Sequence, residues 1–379
     1  MKQVCLLPPF PSSNWASTAP GTLDTKGYPG SRLAMAYAPK DPNLLAGFID
    51  RCVRHFKPRV RVWEFLNEPI FTNYALPGAG KGAPGAAYTP ADYVRLLRLA
   101  AGTMKRADPK CTVIGGIAGG TDTFTREFID AGGLDAIDVL NLHTYPSQAP
   151  PEGYLEPMAR LRERMRKAGG VRPIWVTEYS YYAVDRKPWT PYVPRAGHWA
   201  GQRLLASEKQ CADYSVRFAA VMLAGGAEKI FYHSGASGEV NRDPLECCLL
   251  GYAGAPRKVY AAQAALADVL GPAPRFAARV PAPLVDGRPA DGVHAFAFQC
   301  GTRAVLIAWA DTEIASEDWT LRVPDGAAVL DIMGRDVTAR PPSLGPSPLY
   351  AIATALSARE LAGTRALVPP GGKTGGGGP

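Results

Sequence analysis

A parallel α/β fold followed by a small antiparallel β domain is what this sequence predicts. Three observations carry the expectation. Strand-like and helix-like segments alternate from the N-terminus to about residue 270, and such alternation produces right-handed crossovers and parallel pairing. Two of the strand-like runs, Arg61-Val-Trp-Glu-Phe-Leu-Asn-Glu-Pro69 and Pro173-Ile-Trp-Val-Thr-Glu-Tyr179, are largely apolar, as strands covered on both faces are. Beyond Gly271 helical periodicity stops, and short strands separated by turn residues take over.

Each element has a local reason. Val4–Leu7 is a short strand. Asp41-Pro42 opens a helix, with Asp as N-cap and Pro at the first helical position. Its apolar stripe is Leu45, Phe48, Ile49, Cys52, Val53 and Phe56, and Pro58 ends it. A strand at 60–66 leads into a Gly/Ala/Pro loop at 72–89, long enough to be functional. Thr89-Pro90 opens the next helix, with Tyr93, Leu96, Leu97, Ala100 and Met104 on one face, and Asp108-Pro109 closes it. A strand at 112–116 precedes a helix at 123–131, and a strand at 137–142 precedes a helix at 155–168 that stops at Gly169-Gly170. The strand at 173–178 runs into an aromatic-rich loop, 179–200. A helix at 201–224 ends in Gly225-Gly226, and a strand at 229–233 and a helix at 256–270 complete the series. After that, 292–300 and 302–310 form a hairpin around Cys300-Gly301, and 319–323, 327–332 and 349–354 are further strands. The expected division is therefore 1–271, then a β domain at 272–357, then a tail at 358–379 that is low-complexity and disordered from 365.

Composition excludes several classes. With 46% apolar and 20% charged residues the chain is an ordinary globular protein. The +8 charge comes from arginines over the whole length. Arg160, Arg162, Arg164, Arg166 and Lys167 form a solvated helical face without interleaved aromatics, so no nucleic-acid partner is expected. No apolar run reaches the ~18 residues of a membrane span. Pro8 and Pro9 break the first apolar stretch, so it is not a secretory signal. The expected location is cytoplasmic, with secretion open if the true N-terminus lies upstream. The seven cysteines are odd in number and scattered, without CxxC spacing. Neither a disulfide framework nor zinc is expected, and no cofactor is required.

Both apolar runs end in a glutamate, Glu68 and Glu178. Such an acid is costly if merely structural. Two carboxyl groups delivered from different strands are what glycosidic bond cleavage needs, one to protonate the leaving oxygen and one to attack the anomeric carbon. Glu68 and Glu178 are the candidate catalytic pair. Glu64 lies two strand periods below Glu68, on the same side but deeper, and is expected in a buried ion pair with an arginine.

These residues resemble clan A glycoside hydrolases. In that clan the acid/base follows an asparagine at the end of strand 4, here Asn67-Glu68. Strand 6 commonly ends in His-x-Tyr, here His143-Thr-Tyr145, and the nucleophile ends strand 7, here Glu178. With a β domain behind the barrel, the chain looks most similar to family 39 and its neighbours. The resemblance covers roughly residues 3–350. It implies a (β/α)8-type TIM barrel, N-terminally truncated to about six recognisable strands, plus a small C-terminal antiparallel β-sandwich domain. It also implies retaining chemistry on a carbohydrate substrate. Strands 1 and 2 have no sequence to supply them, and clan members usually place substrate-binding groups on strand 2.

Further roles follow from the resemblance. The Asn67 amide donates to a sugar 2-hydroxyl, Tyr145 hydrogen-bonds the nucleophile, and His143 lines the site. Trp15 offers a stacking face, and Trp189 and Trp199, with Tyr192 and His198, populate the loop after Glu178. His233 stands where clan members often carry a tryptophan. Two other readings stay open. One is a carbohydrate-binding scaffold, catalytically impaired by loss of the first barrel strands. The other is a barrel hydrolase whose glutamates bind a metal, although no His/Asp cluster with ligand spacing accompanies them. Sugar and linkage are set by loops that the pattern does not place.

Overall fold

A computed structural model describes residues 4–7, 39–69, 89–121, 123–183, 204–233, 249–250, 254–282, 284–285, 288–311, 319–364 and 366–369. The chain divides into two compact units. The first takes Met1–Thr144 and Pro157–Thr177, the second Tyr145–Glu156 and Glu178–Pro379.

The first unit is an alternation of strands and helices. In order they are β1 (Val4–Leu7), α1 (Pro42–Phe56), β2 (Val62–Phe65), α2 (Pro90–Ala107), β3 (Thr112–Gly115), α3 (Thr123–Asp130), β4 (Val139–Thr144), α4 (Leu155–Lys167) and β5 (Ile174–Tyr179). The first residues of α4 and the last two of β5 belong to the second unit. Pairing is parallel with short registers, Val4 opposite Val62, Val62 opposite Thr112 and Ile114 opposite Val139. The Leu140 N–H donates to the Pro173 carbonyl at 2.9 Å, tying β4 to the entry of β5.

The helix starts behave as the sequence implies. Asp41 accepts from the Asn43 N–H at 2.8 Å, and Thr89 and Asp92 form a reciprocal capping box. Each such cap stabilises its helix by about 1 kcal/mol. Leu45, Ile49 and Val53 of α1 and Tyr93, Leu97, Ala100 and Met104 of α2 are buried, whereas Phe56, at the end of its stripe, is exposed.

The second unit holds β6 (Tyr182–Ala183), β7 (Leu204–Leu205), α5 (Glu208–Ala224), β8 (Ala227–Tyr232) and α6 (Lys258–Leu270), followed by short strands, among them β10 (Leu284–Val285) and β11 (Arg288–Pro289), and a short helix. Helix α5 starts at Glu208 rather than 201, because Ser207 caps it by accepting from the Gln210 N–H at 3.1 Å. A five-stranded antiparallel sheet has the order β15 (Ala328–Leu330), β16 (Leu349–Ala353), β13 (Arg303–Ala310), β12 (Val293–Cys300), β9 (Arg275–Arg279). The β12–β13 turn at Gly301-Thr302 needs a left-handed residue, and Gly301 supplies it with φ 63°. Strand β9, unmarked in the sequence by any apolar alternation, pairs with β12.

Both faces of this sheet are covered, which explains why β12 and β13 are apolar almost end to end. Ala295, Ala297, Leu306 and Ala308 face Trp319, Leu321 and Leu367 of the β14 (Thr320–Leu321) and β17 (Leu367–Val368) pair, with Leu361 of α7 (Ala358–Gly363). The expected tail is therefore structured at 358–363 and 366–369. The alternate residues Phe296, Phe298, Val305, Ile307, Trp309 and Tyr350 pack on Ala212, Val216 and Ala219 of α5 and Ala262, Leu266 and Val269 of α6. Fully burying one such large side chain stabilises by roughly 1.5–3 kcal/mol. In that shared core α5 and α6 pack on the antiparallel sheet.

A buried guanidinium cluster lies inside this unit. Arg217 of α5 is buried, and donates two hydrogen bonds to Glu152 at 2.8 and 2.7 Å and one to Asp311 at 2.7 Å. Its guanidinium lies 4.9 Å from the Tyr214 ring centre and 5.7 Å from that of Trp309. His294 stacks on Trp309 and reaches Asp311 at 3.2 Å. Burial works against the charge on Arg217, but Glu152 and then Asp311 outweigh it and hold its pKa above the ordinary value.

Candidate active site

In the first unit the site begins where β2 ends. Phe65 is the last strand residue, and its carbonyl accepts the buried Tyr93 hydroxyl at 2.8 Å. Burial pushes the Tyr93 pKa up, so it stays a neutral donor. Leu66 and Glu68 then take left-handed backbone, with φ 63° and 45°. For residues bearing a β-carbon this costs about 1–3 kcal/mol each, a cost met at sites where geometry matters. The buried Leu66 side chain and Pro69 anchor the turn, and Asn67 and Glu68 are half-buried. The turn breaks strand alternation, so Glu64 and Glu68 are not simply two strand periods apart.

Glu68 Oε1 is hydrogen-bonded to His143 Nδ1 at 2.9 Å. His143 sits near the end of β4 and is buried, and its backbone N–H donates to the Gly119 carbonyl at 3.2 Å. One strand period earlier on the same strand, Asn141 is also buried. Its Nδ2 donates to Glu64, and its Oδ1 accepts from the Ala118 N–H at 3.3 Å. Thr177 donates to Glu64 Oε1 at 3.1 Å. Among the described contacts of Glu64 are thus an amide and a hydroxyl. The backbone at Gly116, φ 148°, suits glycine, and a β-carbon there would collide with Asn141.

In the second unit, Glu178 accepts a hydrogen bond from the Tyr145 hydroxyl. The Tyr145 ring is held on two sides, stacked on the buried Tyr182 at 6.2 Å and edge-on to His233 at 5.7 Å. His233 follows β8, its N–H donating to the Tyr179 carbonyl at 2.8 Å, and its Nε2 lies 3.9 Å from Glu178 Oε2. Glu152, His294 and Asp311 have ligand atoms close enough to share an ion. The Arg217 guanidinium already supplies the positive charge there.

Of the candidates read from the sequence, His143 meets Glu68, and Tyr145 and His233 gather at Glu178. Asn67 lies beside Glu68 in the turn. Trp15, Trp189 and Trp199, with Tyr192 and His198, lie outside the described residues. Sequence reasoning missed Asn141, Thr177, Tyr93 and Tyr182. Asn141 carried a signal: an amide in the apolar run Val139-Leu-Asn-Leu142 must find a partner if it is buried.

No family model matches the sequence, and no curated protein matches it. Solved structures match in fold. A family 39 glycoside hydrolase from the gut symbiont Bacteroides cellulosilyticus is 21% identical with a TM-score of 0.55, over 85% of this chain and 62% of its own. A family 39 β-xylosidase from Caulobacter crescentus is 18% identical, TM-score 0.52, over 82% of this chain and 72% of its own. A family 30 endoxylanase from Clostridium papyrosolvens is 15% identical, TM-score 0.52, over 83% and 71%. The chain spans less than two thirds of the length of the Bacteroides cellulosilyticus enzyme. At these identities the likeness is one of fold, a fold used by glycoside hydrolases. No helix among the described residues is long and apolar enough to cross a membrane.

Proposed function

We propose that this protein is a retaining glycosidase in which Glu68 is the acid/base and Glu178 the nucleophile. One observation supports this most. The segment His143-Thr-Tyr145 gives one contact to each strand-end glutamate, His143 to Glu68 and Tyr145 to Glu178. Core carboxylates do not require a paired His and Tyr, whereas double displacement requires two oriented carboxyl groups of different roles. On this reading β1–β5 and β8 are strands of a (β/α)8-type barrel, and the C-terminal sheet belongs to a β-sandwich.

Glu68 donates its proton to the leaving oxygen as Glu178 attacks the anomeric carbon. The bond to the aglycone breaks, and a glycosyl-Glu178 ester forms. Glu68, now a carboxylate, takes a proton from water, which displaces Glu178 with retained configuration. Tyr145 steadies the attacking oxygen by donating to the same carboxylate. Asn67 donates to the sugar 2-hydroxyl, His143 and His233 line the site, and Trp15, Trp189 and Trp199 offer faces for sugar rings. No metal or cofactor takes part. The β-xylosidase and endoxylanase among the structural neighbours make xylosides the first substrates to try.

A panel of aryl glycosides, with product configuration followed by NMR, tests the proposal. Hydrolysis with the anomer retained at first release is the expected result. Binding without turnover across the panel would favour the impaired scaffold, inversion would sink the double displacement, and loss of activity with a chelator would point to a metal.

A further inference from the structure

We infer that Glu64 and Asn141 form a positioning pair for the acid/base, acting on Glu68 through β4 and His143. The inference rests on the acid/base reading of Glu68. Glu64 is buried on β2 and accepts hydrogen bonds from Asn141 on β4 and from Thr177 on β5. One carboxylate thus ties three strands together at one level. Burying a carboxylate costs several kcal/mol unless it is well hydrogen-bonded. A core serving packing alone would be at least as stable with apolar side chains there.

The connections run on to Glu68. Asn141 passes the constraint to the loop after β3 through the Ala118 N–H. The same loop accepts the His143 backbone N–H at the Gly119 carbonyl. His143 is the next residue after Asn141 on that face of β4, and it alone of the two reaches Glu68. Glu68 itself sits on a left-handed turn that extended backbone would not adopt unaided. Tyr93 fixes the carbonyl just before that turn. The Glu64–Asn141 contact therefore determines how deep His143 sits against a strained Glu68, and touches no substrate.

The experiment compares the parent chain with Glu64→Gln, Asn141→Ala and a reference Glu68→Ala. Two glycosides of the sugar found by the panel are used, one with a dinitrophenyl and one with an alkyl aglycone. The dinitrophenyl group departs with little protonation, whereas the alkyl group needs the acid. Misplacement of about 1 Å costs on the order of 100-fold, so kcat/KM on the alkyl glycoside should fall about 10- to 100-fold, with the dinitrophenyl glycoside within about 3-fold. Misfolding would lower both equally by removing active molecules. Glu64→Gln keeps the shape and guards against failure of Asn141→Ala to fold. Equal losses on both substrates, while Glu68→Ala shows the leaving-group split, would overturn the positioning role alone. Absence of that split in Glu68→Ala would overturn the proposed function and this inference with it.

Discussion

Two sets of buried and half-buried carboxylates in this chain are treated in opposite ways. In the second unit Glu152 and Asp311 clasp one buried guanidinium, Arg217. Elsewhere, Glu64 meets an amide and a hydroxyl, Glu68 an imidazole and Glu178 a phenol. A carboxylate locked against a fixed cation by short charge-assisted bonds is a poor proton carrier and a poor nucleophile, because its charge is already spoken for. Hydroxyl, amide and imidazole groups orient a carboxylate yet leave it able to exchange a proton or share its charge with a substrate. On the proposed function, the difference separates Glu152 and Asp311, which hold the fold, from Glu68 and Glu178, which carry the chemistry, with Glu64 as the positioning group of Glu68.

The comparison breaks most visibly at Glu178. Glu178→Gly should lower kcat by about 10⁴-fold or more, the scale seen when a covalent nucleophile is lost, and leave the thermal transition in place. Added azide should restore turnover and give the inverted glycosyl azide, detectable by NMR. A retained product would reverse the two roles. Glu68→Ala should come next, costing about 10²- to 10⁴-fold on alkyl glycosides and far less on dinitrophenyl glycosides. Azide should here rescue the second step and give the retained product.

The Arg217 cluster should respond in stability, not chemistry. Arg217→Met leaves the half-buried Glu152 and Asp311 without their cation, and should destabilise the second unit by about 1–3 kcal/mol in denaturant titrations. Turnover per folded molecule should stay at the parent value. Replacing Glu152 and Asp311 by Gln and Asn in the same chain should recover most of that loss. A chain in which Arg217→Met changed turnover but not stability would erase the distinction between the two sets.

The smallest expected effect is on acid stability. Burial opposes ionisation of Asp311, but the hydrogen bond and charge of His294, and then Arg217, outweigh it and hold its carboxyl below the usual aspartate range. Its stabilising contribution is therefore full above the unfolded value of about 3.9 and fades as pH falls through it toward the lower folded value. The parent chain should lose stability more steeply than Asp311→Asn below about pH 4, measured by denaturant unfolding across pH. Parallel curves would mean that Asp311 contributes nothing to the cluster.

Much of this was legible in the amino-acid order. Strand and helix periods located β2–β5, α1–α4 and the β12–β13 hairpin to within a few residues, since each depends on side chains close in the chain. The apolar runs ending in Glu68 and Glu178, and the segment holding His143 and Tyr145, announced the candidate site. Less legible was whatever depends on a side chain arriving from far away. Two partners of Glu64 stand 77 and 113 positions off, at Asn141 and Thr177, and no local pattern points to either.

By itself, then, the sequence determined which segments become strands and helices and which glutamates reach strand ends, because local sterics and a two- or 3.6-residue period settle both. Only the tertiary structure decided that Leu66 and Glu68 turn left-handed, that α5 and α6 share a core with the antiparallel sheet, and that Arg217 is the cation enclosed by acids while Glu64 meets an amide. Those outcomes depend on which surfaces must be buried together and on which donor is nearest once they are. No window of neighbouring residues contains that information.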